Sequence, residues 1–147
     1  MANSIDTAAL DKDALKARAA AYHGQGYNCA QAVLCALAPE LGVDEDTAFR
    51  LMEGFGLGMG GMSETCGAIS GAVAALGVSN SQGTANTRTK GSTYRLSHAA
   101  VERFQAKNGS SVCGELKGVI GDGGMLRSCP GCIEDAVDIA VNILQGR

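Results

Sequence analysis

Between residues 54 and 71 the chain reads GFGLGMGGMSETCGAISG, and this stretch restricts the fold more than any other. Gly54, Gly56, Gly58, Gly60 and Gly61 stand too close together for a stable helix or strand interior, because each glycine adds backbone freedom that folding must remove. The run therefore reads as a loop. Ser63 or Thr65 is suited to cap a helix that follows it, with Cys66 in the first turn. At that position unpaired N–H groups and the positive end of the helix dipole favour an anion, and a thiolate is an anion. Cys66 is thus a candidate reactive or metal-ligating cysteine.

The rest of the pattern is helical. Residues 11–22, with Leu10 just before them, carry Ala14, Leu15, Arg18 and Ala19 along one stripe, and the segment stops at His23-Gly24. Asn28 is a good cap for a second helix over residues 29–38, which Pro39 is expected to end. Asp44 caps a third, running through Phe49 and Met52 to Gly54. A helix over residues 64–76 follows the glycine loop and is expected to end at Gly77. Its Gly67, Gly71 and Ala74 make one side nearly bare backbone, open to a neighbouring helix or a prosthetic group. Residues 78–89 are polar and read as a loop. Tyr94, Leu96, Val101 and Phe104 mark another helix, ended by Asn108-Gly109. Ser110 or Ser111 caps a short piece over residues 112–117, and residues 118–128 form a second glycine-rich loop. The last helix starts at Cys129 or Pro130 and buries Ile133, Val137, Ala140, Val141 and Leu144. No alternation of period two appears. The expected fold is all-α: one domain over residues 1–147, a bundle of about five to seven helices with glycine-rich loops.

Composition narrows the function classes. With 147 residues, 46% hydrophobic and 18% charged, the chain can build one real core. A net charge of −3 and no Lys/Arg cluster argue against nucleic acid as a partner. The polar, amphipathic N-terminus has no apolar signal region. The longest largely apolar stretch, residues 68–78, falls far short of the roughly 20 residues that span a bilayer. The expectation is a soluble, cytoplasmic protein without membrane insertion. In a reducing compartment six cysteines point to metal binding or redox chemistry more than to structural disulfides.

Four of those cysteines fall at helix starts: Cys29 after Asn28, Cys66, Cys113 after Ser110-Ser111, and Cys129. Cys129-Pro130-Gly131-Cys132 is a CxxC, a spacing that permits a dithiol–disulfide couple. It lacks the βαβ context of a thioredoxin and the second CxxC of a zinc ribbon. Cys35 follows Cys29 by six residues on one helix, so the two point about 120° apart by the helical period. Among Ala32, Val33, Leu34 and Leu37 it reads as a core residue. His23 and His98 are isolated. Glu64 can serve as a base near Cys66 or as an ordinary acid at a helix start. Met59 and Met62 are soft donors of a type that more often fills gaps.

These residues resemble the C_GCAxxG_C_C family of redox-active proteins. The likeness runs over residues 12–144 and rests on Asn28-Cys29-Ala30-Gln31-Ala32-Val33, Gly54-Phe55-Gly56 with Met59-Gly60, and Glu64-Thr65-Cys66-Gly67-Ala68 through Gly71. Phe104 before Gly109, Cys113 with Glu115-Leu116, and Cys129 followed by Ile133 and Asp135-Ala136 complete it. The resemblance implies that Cys29, Cys66, Cys113 and Cys129 are the family's shared cysteines. Related sequence is similar to part of split-Soret cytochromes c, where an iron–sulfur centre accompanies haem. Here Cys132 is followed by Ile133, so no CxxCH motif is present and no covalent haem is implied. Cys132 and Cys35 are additional to the family pattern.

Three functions follow as expectations. The first is an electron-transfer protein whose Cys29, Cys66, Cys113 and Cys129 hold an iron–sulfur cluster, [2Fe–2S] in the simplest case, with an unidentified redox partner. The second is a metal-free thiol–disulfide oxidoreductase or redox sensor using Cys129/Cys132 and Cys66. The third is a structural zinc protein. Glycine-lined helix faces are compatible with a homodimer.

Overall fold

The computed structural model describes residues 6–147, and it is all-α. The part of the N-terminal reading that concerns residues 1–5 lies outside the described residues. The helices are α1 (Lys12–Gly24), α2 (Cys29–Leu41), α3 (Glu45–Met52), α4 (Gly67–Asn80), α5 (Lys90–Asn108), α6 (Cys113–Lys117) and α7 (Cys129–Leu144). Among the described residues the sole β-type pairing is an antiparallel bridge between Thr65 and Val112. No helix among them is long and apolar enough to cross a membrane.

The core is built around α2, whose residues from Ala30 to Ala38 are all buried. A helix apolar on every side has to be enclosed by others, and α1, α3, α4 and α7 surround this one. Its start is set by a reciprocal cap. Asn28 Oδ1 accepts from the Gln31 N–H at 2.9 Å, and Gln31 Oε1 accepts from the Asn28 N–H at 2.9 Å. Just before it, the stacked rings of Tyr22 and Tyr27, 4.6 Å apart, both donate their hydroxyls to Glu45 at 2.8 Å. That clamp ties the α1–α2 turn to the first residue of α3.

Pro39 does not end α2; it lies inside it, and the helix stops at Gly42, whose φ of 72° is left-handed. A proline this near the end costs one backbone hydrogen bond. In the same turn Arg18 donates to the Ala36 carbonyl at 2.8 Å and to Glu40 at 2.7 Å. The expected helix over residues 64–76 is shifted to Gly67–Asn80, and neither Ser63 nor Thr65 caps it; Cys66 occupies the cap position. Residues 64–66 are held back because their backbone pairs with residues 111–113. Residues 78–80, expected in a loop, continue the helix. There the Asn80 side chain donates to Ser92 and Thr93 of α5 at 2.8 and 2.9 Å.

Two glycines of α4 allow α2 to approach at backbone distance. A Cβ on Gly71 would stand 2.8 Å from the Ala30 carbonyl oxygen, and one on Gly67 would stand 3.2 Å from the Ala30 nitrogen. The bare side of α4 is therefore filled at these two positions by a neighbouring helix. Ala74 lies outside that contact and lines an apolar cavity of about 490 Å³ with Phe55, Ile69 and Val101. Since Ala30 adjoins Cys29 and Gly67 adjoins Cys66, the same close approach sets those two cysteines together. Gly71→Ala is expected to cost about 1–3 kcal/mol through overpacking against backbone that cannot rotate away. A urea titration with an unchanged midpoint would show that α2 and α4 can separate freely.

Candidate functional site: a five-thiol cluster around Lys117

Each cysteine of the site arrives by a separate device. The strand-like stretch before Cys66 pairs with the one before Cys113. Cys66 N–H donates to the Ser111 carbonyl at 2.7 Å, Cys113 N–H to the Glu64 carbonyl at 2.9 Å, and Gly114 N–H to the Met62 carbonyl at 2.6 Å. This places Cys66 and Cys113 side by side. The glycine loop then closes over Cys113: Gly58 sits so near that a Cβ on it would lie 2.5 Å from the Cys113 Cβ. Its φ of 55° is one that glycine adopts without penalty. Asn28 Nδ2 donates to the Glu53 carbonyl at 3.0 Å, holding the Cys29 end to the same loop.

The start of α7 is fixed by a buried carboxylate. Asp135 is 2% exposed and accepts from Arg127 at 2.9 and 3.1 Å and from Lys107 of α5. The Arg127 guanidinium lies against Gly131, where any Cβ would meet its Nε at 2.5 Å. Ser128 Oγ accepts from the Gly131 N–H at 3.1 Å and caps the helix. Leu126 and Arg127 N–H groups both donate to the Leu116 carbonyl, docking α7 on α6. The CxxC is thus held rigidly in the first turn, between Arg127 and Asp135.

Five sulfur atoms gather where these segments meet, around the Lys117 ammonium, which donates to Cys129 Sγ. None of the six cysteines is disulfide-bonded. The Cys132 thiol lies beside the Cys66 sulfur, with the Ala68 and Ile69 N–H groups near it at the start of α4. The Cys132 thiol is the largest influence on Cys66; against the opposing effect of burial, it and the helix amides hold that sulfur below its usual range. The Cys66 sulfur, with burial, pushes Cys132 strongly up, so Cys132 keeps the proton. Burial also raises Cys29 and Cys113, with Lys117 opposing it in both. For Lys117 itself burial favours the neutral amine, yet its hydrogen bond to Cys129 and the surrounding sulfurs outweigh that and raise it to about 12.

Of the residues singled out from sequence, Cys29, Cys66, Cys113, Cys129 and Cys132 come together. Cys35 does not: it is buried in the core of α2, its thiol 3.8 Å from the Glu45 carbonyl. His98 is exposed and pairs with Glu102 at 3.1 Å, and His23 is half-buried in the last turn of α1. The Glu64 side chain is exposed; its backbone carbonyl is what serves the site. Met59 is exposed on the glycine loop, and Met62 contributes its carbonyl. Lys117 was missed by the sequence reading. Its signal is the spacing from Cys113, four residues along one helix, which puts both on one face. The Arg127–Asp135 pair was missed as well.

Among the described residues no three His, Cys, Asp or Glu side chains are placed to hold one metal ion. A single zinc needs three or four such ligands around a point, so the arrangement does not fit a mononuclear site. An iron–sulfur cluster asks for only one or two thiolates per iron, and the all-sulfur donor set suits it.

An all-α domain that gathers five thiols from four segments is the framework of a redox-active protein. The chain belongs to the family described as putative redox-active protein (C_GCAxxG_C_C), whose model matches residues 27–143. No curated protein and no solved structure matches it.

Asp135 ties α5, the second glycine loop and α7 together, so its removal reports on the whole site. Burial alone would raise its carboxyl, but the hydrogen bonds from Arg127 and Lys107 outweigh it and hold the group below the usual carboxylate range. Lys107 is 55% and Arg127 35% exposed, so both cations can rehydrate when the carboxylate is lost. Asp135→Asn is therefore expected to cost about 1.5–3 kcal/mol, nearer the lower end. Because the folded-state pKa is depressed, this stabilisation is complete above the unfolded carboxyl pKa of about 4 and disappears as pH falls through the native value. Urea midpoints of both proteins across an acid series should converge at low pH; a constant gap would contradict the ion-pair account.

Proposed function

We propose that this chain is a thiol–disulfide redox protein in which Cys66, Cys129 and Cys132 exchange electrons with an external disulfide or dithiol. The observation that carries this is the contact between Cys132 and Cys66. One sulfur is held toward the thiolate by the Cys132 thiol beside it and then by helix amides and Lys117, and that neighbouring thiol keeps its proton. Dithiol exchange needs that combination, a nucleophilic sulfur and a second thiol near enough to resolve the mixed disulfide. Oxidation removes two electrons and two protons from two thiols and leaves one disulfide. Reduced protein equilibrated across a glutathione/glutathione disulfide series, then alkylated and weighed intact, is expected to lose two alkylatable thiols per chain in one transition. Six thiols at every ratio would overturn the proposal.

A second reading is favoured by the convergence of the four shared cysteines. Cys29, Cys66, Cys113 and Cys129 would hold an iron–sulfur cluster, which when bound supplies one-electron transfer. The Ala68 and Ile69 amides and the Lys117 ammonium would then donate to ligand sulfurs and offset their negative charge. On this reading, protein purified without oxygen contains iron and acid-labile sulfide in equal amounts and bleaches with dithionite. Colourless protein lacking both would leave the dithiol chemistry.

A further inference from the structure

We propose that the disulfide of the oxidised chain is Cys66–Cys132, and that it is reached by a relay through Cys129 in which Lys117 receives the departing Cys129 thiolate. The inference rests on the dithiol reading above and departs from the sequence expectation that the CxxC pair is the couple. Three sulfurs form an ordered path from surface to interior. Cys129 is partly exposed, whereas Cys132 is 1% and Cys66 2% exposed. Cys132 stands between the other two: one helical turn from Cys129 on α7, and beside Cys66 at the cap of α4. A buried sulfur cannot meet a bulky disulfide; Cys29 and Cys129 are the partly exposed thiols of the cluster, and Cys129, one helical turn from Cys132, is the entry point. Its sulfur is the one that takes the Lys117 hydrogen bond.

The electrons and protons balance over three exchanges. Cys129 thiolate attacks an external disulfide RSSR, forming Cys129–SR and releasing RS⁻. Cys132 attacks the Cys129 sulfur, closing Cys129–Cys132, and its proton goes to the departing second RS⁻, which leaves as RSH. Cys66 thiolate then attacks the Cys132 sulfur, forming Cys66–Cys132 and returning Cys129 as a thiolate beside the Lys117 ammonium. RSSR has been reduced by two electrons and one buried dithiol oxidised. A thiolate beside a cation is the better leaving group, which draws the last exchange inward.

Glutathione disulfide is the oxidant for the test, followed by acid quench, alkylation, non-reducing tryptic digestion and mass spectrometry. Cleavage after Arg127 puts Cys129 and Cys132 on one peptide. The expected product links that peptide to the one containing Cys66, with Cys129 alkylated. Cys66→Ser is expected to stop at the disulfide within the peptide. Cys129→Ser is expected to slow formation of Cys66–Cys132 by about tenfold or more, because the intramolecular hand-over is lost. A Cys129–Cys132 end product in the unaltered chain overturns the inference while sparing the redox reading. Wild-type rates in Cys129→Ser overturn the relay. Absence of any disulfide overturns both.

Discussion

The close approach of α2 and α4 underlies everything else in this molecule. Gly67 and Gly71 let one helix backbone lie against the other, with the Ala30 amide and carbonyl where side chains would otherwise stand. A helix as enclosed as α2 can be packed only if some neighbour offers so little bulk. The contact also does chemical work, because each helix begins with a cysteine or directly after one. Core packing and site assembly are consequently one event: a chain that has not closed α2 on α4 has no thiol cluster.

Around that contact the site is assembled mostly from backbone. Carbonyls of Glu64, Ser111 and Met62 align the approaches to Cys66 and Cys113, and amides of Ala68 and Ile69 address the Cys66 sulfur. Backbone groups cannot titrate or swing away, so the sulfurs meet a fixed field. Lys117 is the one mobile charge in the group. Its ammonium faces sulfurs of which several are pushed toward the neutral thiol by burial and one is held toward the thiolate. The site is thereby graded, with a nucleophilic sulfur and proton-bearing neighbours in contact.

Much of this was legible in the chain. Periodicity identified the helices, and the capping residues Asn28 and Asp44 stand where expected. Helix ends were less legible: Pro39 sits inside the last turn of α2, where Gly42 supplies the stop, and Asn80 is held by α5 from outside its own helix. The first-turn placement of Cys29, Cys113 and Cys129 followed from local chemistry. What could not be read locally was which thiol touches which. The spacing of the CxxC sets Cys129 near Cys132, and the fold also brings Cys66 beside it from 66 residues away in sequence (132 − 66). Lys117 escaped notice because a single i,i+4 relation to Cys113 on a five-residue helix is too short a pattern to stand out.

The glycine loop holds Leu57, Met59 and Met62 at φ of 55°, 61° and 65°, left-handed values that residues with a Cβ adopt at a cost of about 1–2 kcal/mol each. Two bonds within the loop, Gly60 N–H to the Gly56 carbonyl at 3.0 Å and Met62 N–H to the Leu57 carbonyl at 2.8 Å, hold that shape together with its attachments: the Gly114–Met62 bond, the Asn28 amide and the seat of Gly58 on Cys113. The wall over Cys113 is therefore the costliest stretch of backbone in the site's enclosure, and the cover it gives that sulfur lasts only as long as those attachments hold.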